Sequence, residues 1–179
     1  MTDPLRRDRV MRLIRLNLGR FDVGPGRRLI PITGWLMTTE GGRHILFDTG
    51  FPPGYAEDGA ALAARDGLGR FGQLVGYDAG QTIVGALARH GLTPGDVSTV
   101  LLSHSHIDHV GGLDLFSHAE IILSARERAE PRPLYFGAAQ PMPWPEARYR
   151  CLEKTGEICG GLRLVATPGH TPGHMSALV

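Results

Sequence analysis

Short apolar runs, separated by glycine, proline and polar clusters, dominate the hydrophobic pattern of this chain. Residues Met11 to Leu18 alternate in part between apolar and polar side chains and predict a first strand. Residues 34–50 predict a β-hairpin, because two apolar runs flank a glycine turn at residues 40–43. The second of these runs leads directly into Asp48.

Helix and strand signals alternate in the rest of the chain. Asp78 and Gln81 have the spacing of a capping box, and an apolar stripe at helical spacing continues to Gly91, so a helix is predicted there. Apolar runs bounded by turn signals predict buried strands at residues 98–102, 119–124, 162–166 and 175–179. Two of these strands end just before His104 and His170.

Three other segments break this regular pattern. Residues 51–77 are rich in glycine and alanine and longer than most connections, which favours a lid or binding loop. Residues 131–145 contain five prolines and are expected to be mostly irregular. The chain stops at Val179 inside an apolar run, whereas most domains end in exposed residues, so we expect a chain cut before its fold is complete.

Composition narrows the class of protein. A chain of 179 residues with 42% hydrophobic residues and a formal charge of +1 fits one globular domain over residues 1–179. The near-neutral charge, without a local basic patch, argues against nucleic-acid and membrane partners. No signal peptide or membrane span is recognisable, so a cytoplasmic location is expected. Cys151 and Cys159 match no metal or redox spacing.

Residues with metal-binding side chains are concentrated in two short segments, residues 104–109 and 170–174, which hold five of the eight histidines. In an extended segment, side chains two residues apart project to the same side, so His104 and His106 can reach one metal ion. Asp108 and His109 then turn toward an adjacent point. His170 would complete a three-histidine site with an open fourth position, as in catalytic zinc centres. Imidazole ligands favour zinc, and iron, manganese and cobalt stay open as alternatives.

The remaining polar candidates are less distinctive. His174 follows His170 by four residues, and we favour a supporting or packing role for it because three ligands are already available. Asp48 ends a strand, where its carboxylate would either support a metal-binding histidine or cap a turn, and the sequence leaves both open. Other histidines lack any partner pattern and are expected to be ordinary imidazoles: His44, His90 and His118.

Three motifs together resemble the metallo-β-lactamase superfamily. They are Phe-Asp-Thr-Gly at residues 47–50, Ser-His-Ser-His-Ile-Asp-His-Val-Gly-Gly at 103–112 and Thr-Pro-Gly-His-Thr-Pro-Gly-His at 167–174. The resemblance implies an α/β fold, the four-layer αββα sandwich, with its second half incomplete here. It assigns the metal ligands as follows: His104, His106 and His170 to the first metal, Asp108 and His109 to the second.

The family closes its site with a bridging aspartate and a final histidine on later strands, and both would lie beyond Val179. The resemblance therefore implies two Zn²⁺ ions in a complete member, and one fully liganded ion is expected here. Much weaker catalysis is expected from this chain alone. Half a sandwich would leave sheet surface exposed, and a homodimer that covers this surface is left open.

Within the superfamily, the long segment 51–77 and the paired Thr-Pro-Gly-His motif are most similar to N-acyl-homoserine lactonases. This implies a zinc-dependent, quorum-quenching hydrolase that opens a lactone by attack of zinc-bound hydroxide on the carbonyl. Asp108 would be both a ligand and the catalytic residue that orients the water. Phe51, Phe71 and Tyr77 would cover an acyl chain, or else anchor the loop to the core.

Other functions share the same metal site. The alternatives on this scaffold are a thioesterase, a β-lactamase and a phosphotriesterase-like hydrolase, each acting on a small-molecule ester or related substrate. A catalytically silent zinc-binding fragment is the alternative outside enzymes.

Overall fold

A computed structural model describes residues 8–24, 28–134 and 141–179. The strands in these ranges are β1 (Val10–Asp22), β2 (Leu29–Thr39), β3 (His44–Phe47), β4 (Gln73–Val75), β5 (Val97–Leu101), β6 (Glu120–Ser124), β7 (Arg148–Leu152), β8 (Gly156–Cys159), β9 (Leu162–Ala166) and β10 (Met175–Leu178). The α-helices are α1 (Tyr55–Asp66), α2 (Ile83–Ala88), α3 (Ile107–Val110) and α4 (Ala125–Arg128).

The strands form two sheets. The larger has seven strands in the order β4-β1-β2-β3-β5-β6-β7. Its first four strands pair antiparallel, and β3, β5, β6 and β7 pair parallel. The smaller sheet has three antiparallel strands in the order β10-β9-β8. In the parallel half, the carboxyl ends of β3 and β5 meet at one edge, and this edge carries two of the motifs.

Alternation along the strands of the larger sheet divides the core into two. Leu46 faces a cluster that also contains Ile83 and Leu87 of α2, whereas its neighbour Ile45 faces the smaller sheet. The core between the sheets joins Ile45 to Leu164 of β9 and other apolar side chains of both sheets. Helices, the larger sheet and the smaller sheet therefore form successive layers, and the predicted mixed α/β fold is confirmed.

The hairpin predicted at residues 34–50 is present as β2 and β3, in which Trp35 lies opposite Phe47. The predicted helix is α2, but its N-cap is Thr82, whose hydroxyl accepts a hydrogen bond from the Gly85 amide at 3.1 Å. The capping-box contact is also made, since the Asp78 amide donates to Gln81 Oε1 at 3.0 Å. That contact closes the turn before the helix rather than its first turn.

The glycine-rich segment 51–77 is more regular than the sequence suggests, since it holds α1 and β4. Glycine lowers helix propensity, which is why its pattern favours a loop. Phe51 is completely buried beside Phe21 and Tyr55, and the Tyr77 hydroxyl donates to the Phe51 carbonyl at 3.1 Å. Phe51 and Tyr77 therefore anchor this segment to the core.

Strands β7 and β8 were not predicted from the sequence. Strand β7 lies at the edge of the larger sheet and mixes charged and apolar residues, which gives a weak strand signal. Of the proline-rich segment 131–145, residues 131–134 and 141–145 contain no helix or strand, and residues 135–140 lie outside the described residues. None of the helices in the described ranges is long and apolar enough to cross a membrane.

Candidate metal centre

Three loops bring the polar motifs to one place. Asp48 follows β3, His104 and His106 follow β5, and His170 lies in the loop between β9 and β10. The segment after β5 turns at once into the single helical turn α3, which begins after His106 and contains Asp108. The site thus combines the edge of the larger sheet with one loop of the smaller sheet.

The three histidines predicted to share a metal converge on one point. One ring nitrogen each from His104, His106 and His170 lies within 4.8 Å of the other two. The closest approach is 3.1 Å, between Nδ1 of His106 and Nε2 of His170. His104 is buried and His170 is exposed, so one side of the group is open to solvent.

The unpaired atoms at this point fit a cation. His104 Nδ1 lies 2.9 Å from the Ser103 hydroxyl, whereas His104 Nε2 is buried and has no hydrogen-bond partner among the described residues. The same holds for Oδ1 of Asp108. Buried polar atoms are nearly always satisfied, so two orphans at one site indicate a missing partner. Imidazole nitrogens and carboxylate oxygens are both suitable ligands for zinc.

The protonation states agree with metal binding. Burial lowers the pKa of His104 far below its usual range and that of His106 to about 4. Both imidazoles are therefore neutral near pH 7, which is the form that binds a metal ion.

His109 lies between two carboxylates. Its Nδ1 is 2.8 Å from Asp48 Oδ2, and its Nε2 is 3.4 Å from Asp108 Oδ2. Burial alone would lower the pKa of His109, but Asp108 and Asp48 outweigh it and raise the pKa well above its usual range. A cation that bound at His109 would therefore displace a proton.

Ser103 holds the Asp48 carboxylate beside His109 through two hydrogen bonds. The Ser103 amide donates to Oδ1 of Asp48 at 2.8 Å, and the Ser103 hydroxyl donates to Oδ2 at 2.7 Å. The Asp48 backbone φ of 63° lies in the left-handed region, which turns the chain sharply after β3. Of the two roles that the sequence leaves open, these contacts favour support of His109. Ser103 was not identified from the sequence as the residue that holds Asp48, although it is the first residue of the central motif.

His174, His44 and His118 are not part of the group of three converging nitrogens. His174 Nδ1 lies 2.9 Å from the Thr167 hydroxyl, and its ring packs against His104 with centroids 5.3 Å apart. His44 contacts the Thr38 hydroxyl, and His118 Nε2 lies 3.2 Å from the Val97 carbonyl oxygen. These contacts agree with the packing role favoured for His174 and with ordinary roles for His44 and His118.

One buried residue of the site has no sequence signal. Glu127 in α4 is 1% exposed and accepts hydrogen bonds from both histidine-bearing segments. In the sequence it stands in Ala-Arg-Glu-Arg, which is typical of a solvated surface turn. Its contacts lie 22 and 44 residues away along the chain, so only the fold reveals them.

A cavity of about 480 Å³ opens beside the site. Its polar lining includes Asp108, His109 and His170 of the site, together with Arg28 and Thr33. The apolar wall includes Phe21, Val23, Ile30, Ile32 and Phe71. A small molecule with one polar carbonyl end and one apolar end matches this distribution.

Comparison with known proteins agrees with this arrangement. An N-acyl homoserine lactonase of Bacillus cereus is 34% identical over 158 residues, which cover 87% of this chain and 61% of the relative. An N-acyl homoserine lactonase of Rhizobium radiobacter is 30% identical over 166 residues, covering 84% of this chain and 60% of that protein. This chain therefore spans about three fifths of the length of these curated relatives.

A solved N-acyl homoserine lactone hydrolase, with the product N-hexanoyl-L-homoserine at its catalytic metal center, superposes with a TM-score of 0.72. It is 28% identical, and the match covers 94% of this chain and 70% of that one. The family model described as the metallo-beta-lactamase superfamily matches residues 27–179. With all three motifs inside this match and at one site, the chain belongs to the metallo-β-lactamase superfamily.

Proposed function

We propose that this chain is a zinc-dependent hydrolase that opens the ring of N-acyl homoserine lactones. The observation that carries the proposal is the convergence of three imidazole nitrogens on one point, with His104 Nε2 buried and unsatisfied among the described residues. We assign one zinc ion to His104, His106 and His170. Asp108 and His109 are the proposed ligands of a second.

The substrate class is supported by the relatives and by the cavity. Both curated relatives described above are named N-acyl homoserine lactonases. The cavity of about 480 Å³ is lined by apolar side chains as well as by Asp108 and His170. In this proposal the lactone carbonyl lies at the polar wall and the acyl chain follows Phe71. Phe51 and Tyr77 take no part, because they are anchored in the core.

Bound zinc would supply Lewis-acid activation of water and of the carbonyl. The protein's own contribution is to orient the reactants. Besides its proposed role as a ligand, Asp108 would accept a hydrogen bond from the attacking water and so orient it. The water oxygen bonds to the carbonyl carbon and the ring C–O bond breaks. One of the two water protons passes to the released ring oxygen, and the other is released to solvent. The product is an N-acyl homoserine with a free carboxylate and hydroxyl.

The first test is the metal content of the natively purified, zinc-supplemented chain. One or two zinc ions per chain in the wild type, lost in His106→Ala and retained in His90→Ala, would support the proposal. His90 is a suitable control because it is exposed and lies after α2, outside the histidine group. A folded wild-type chain without zinc would overturn the proposal.

The second test concerns the substrate. Hydrolysis of N-hexanoyl homoserine lactone would be compared with that of an acyl thioester, a cephalosporin and a phosphotriester. A clear preference for the lactone supports the proposal, and a preference for another substrate would replace lactonase by the corresponding hydrolase. The His106→Ala chain serves as the blank, so that contaminating hydrolases are subtracted.

A further inference from the structure

Glu127 is a buried carboxylate that is fully occupied by protein donors. It is 1% exposed and accepts four hydrogen bonds. No salt bridge to a cationic side chain is made by Glu127 within the described ranges. A buried charge is costly unless it is paired or strongly hydrogen-bonded, so such a residue requires an explanation.

The two carboxylate oxygens serve two different segments. Oε2 accepts from the Ser105 amide at 3.0 Å and from the Ser105 hydroxyl at 2.6 Å. Oε1 accepts from the Thr171 hydroxyl at 2.5 Å and from the Gly173 amide at 3.0 Å. Ser105 stands between His104 and His106. Thr171 directly follows His170. One side chain therefore joins the two segments that carry the proposed zinc ligands.

The surroundings show that this contact is tightly packed. Ser105 and Thr171 are both buried, at 0% and 2% exposure. A Cβ atom at Gly173 would lie 2.7 Å from Cγ of Glu127 and 2.9 Å from its amide nitrogen. The segment after His170 can therefore approach Glu127 this closely only with glycine at position 173.

We propose that Glu127 is a positioning residue that holds the two histidine-bearing segments at the spacing required for one zinc ion. The inference rests on the zinc site proposed above. His104 and His106 come from the larger sheet and His170 from a loop of the smaller sheet, so their spacing depends on contacts between these loops. The negative charge of Glu127, within electrostatic reach of His106, also favours a cation at the site.

The decisive variant is Glu127→Gln. Glutamine keeps the size of the side chain but has one acceptor oxygen, and its NH₂ group would face a backbone donor of either Ser105 or Gly173. Only one of the two segments can then be held. We expect the zinc dissociation constant to rise about 10- to 100-fold, the usual effect of losing a supporting contact to metal ligands. The readout is competition with a chromogenic chelator, with the visible spectrum of the Co²⁺-loaded chain as a second signature.

A matched pair at Thr171 separates positioning from general damage. Thr171→Ser keeps the hydroxyl that donates to Glu127, whereas Thr171→Val keeps the shape and loses the donor. We expect normal zinc affinity in the serine variant and weakened affinity in the valine variant. Glu130→Gln is the charge control, because the Glu130 carboxylate makes no hydrogen bond to either segment among the described residues. Should Glu127→Gln not fold, the Thr171 pair decides the question.

The outcomes are distinct. Weaker zinc binding and an altered Co²⁺ spectrum in Glu127→Gln and Thr171→Val, with Thr171→Ser and Glu130→Gln unchanged, support the positioning role. Wild-type affinity in a folded Glu127→Gln, or equal affinities of the two Thr171 variants, would overturn it while leaving the proposed function intact. Absence of zinc from the wild-type chain would instead overturn the proposed function itself.

Discussion

Nδ1 of His109 lies 2.8 Å from Oδ2 of Asp48, a contact between residues 61 positions apart in the chain. It ties the end of β3 to the segment that follows β5. Because one ring nitrogen is held by Asp48, the other is directed toward Asp108, at 3.4 Å. The carboxylate of Asp48 therefore orients the imidazole and, together with Asp108, raises the pKa of His109.

Replacement of Asp48 by asparagine tests this relationship. Asparagine tolerates the left-handed backbone at this position, so the turn after β3 should survive. Loss of one of the two carboxylates that flank His109 is expected to lower its pKa. The measurement is an NMR titration of the histidine rings in the metal-free chain. Asp114→Asn, an exposed change, should leave the titration of His109 as in the wild type.

The same substitution should also weaken metal binding at His109. The asparagine amide would donate toward Nδ1 and favour the tautomer with a proton on Nε2, which blocks that nitrogen as a ligand. We expect about 10- to 100-fold weaker zinc binding at Asp108 and His109, measured by calorimetric titration. Undiminished binding there would mean that Asp48 does not set the tautomer.

Gly111 allows the central motif to pack against the segment after β3. Its amide donates to the Gly50 carbonyl at 2.8 Å, and a Cβ atom here would overlap the Pro52 nitrogen and the Phe51 carbonyl carbon. We expect Gly111→Ala to lower the free energy of unfolding by about 2 kcal/mol, because backbone atoms cannot yield as a side chain can. Urea denaturation would measure this loss.

Gly59→Ala is the control for that experiment. Gly59 lies in α1, and a Cβ atom there meets nothing within 4 Å. Its effect should be neutral or stabilising by up to about 1 kcal/mol. Equal losses at the two positions would show that close packing is not the reason for glycine at 111.

Asp66 should make the stability depend on pH. It is 3% exposed and accepts hydrogen bonds from the Tyr55 hydroxyl at 2.7 Å and from Arg65 at 2.6 and 2.9 Å. Burial alone would raise the pKa of Asp66, but the hydrogen bonds from Arg65 and Tyr55 outweigh it and lower the pKa below 3.8. The stabilisation is therefore present above the unfolded pKa and is lost as pH falls through the folded pKa.

We expect Asp66→Asn to lower the free energy of unfolding by about 2 kcal/mol at pH 7. The difference from the wild type should shrink steadily below about pH 4. Urea denaturation of both chains between pH 3 and pH 7, in the presence of a chelator, measures it. A difference that is constant over this range would mean that the ionised form of Asp66 is not the stabilising one.

Phe71 should distinguish acyl chains by length. It lines the apolar wall of the cavity beside Asp108 and His170. If the acyl chain follows this wall, Phe71→Ala should reduce kcat/KM for a decanoyl lactone about tenfold more than for a butanoyl lactone, because only the longer chain loses apolar contact. Leu115→Ala, an exposed change outside the cavity, is the control and should affect both substrates equally.

Local spacing explains what the sequence could predict. The hairpin, α2 and the strands before His104 and His170 follow from short patterns of apolar residues and turn signals. The grouping of His104, His106 and His170 could be predicted because histidine is a typical metal ligand. His104 and His106 are two residues apart, and each histidine segment follows a predicted strand. Whether these residues bind metal stays a prediction.

Long-range contacts explain what the sequence could not predict. The hydrogen-bond partners of Glu127 are distant in the chain. Strand β7 lies at the edge of the larger sheet, and its charged residues obscure the sequence signal for its pairing with β6. Helix α1 was missed because its glycine and alanine give a weak amphipathic stripe. For Glu127 and β7, the deciding interaction joins segments that are distant in the sequence, whereas for α1 the local signal itself is weak.

The proposed zinc ligands belong to two separate sheets, since His104 and His106 follow a strand of the larger sheet and His170 precedes β10 of the smaller one. A zinc ion held by all three would act as a non-covalent cross-link between the sheets. The free energy of zinc binding would then oppose separation of the two sheets as well as local opening of the loop that carries His170. Backbone amides of β9 and β10 should accordingly exchange with deuterium more slowly when zinc is bound, so that the smaller sheet reports on occupancy of a site it only partly builds.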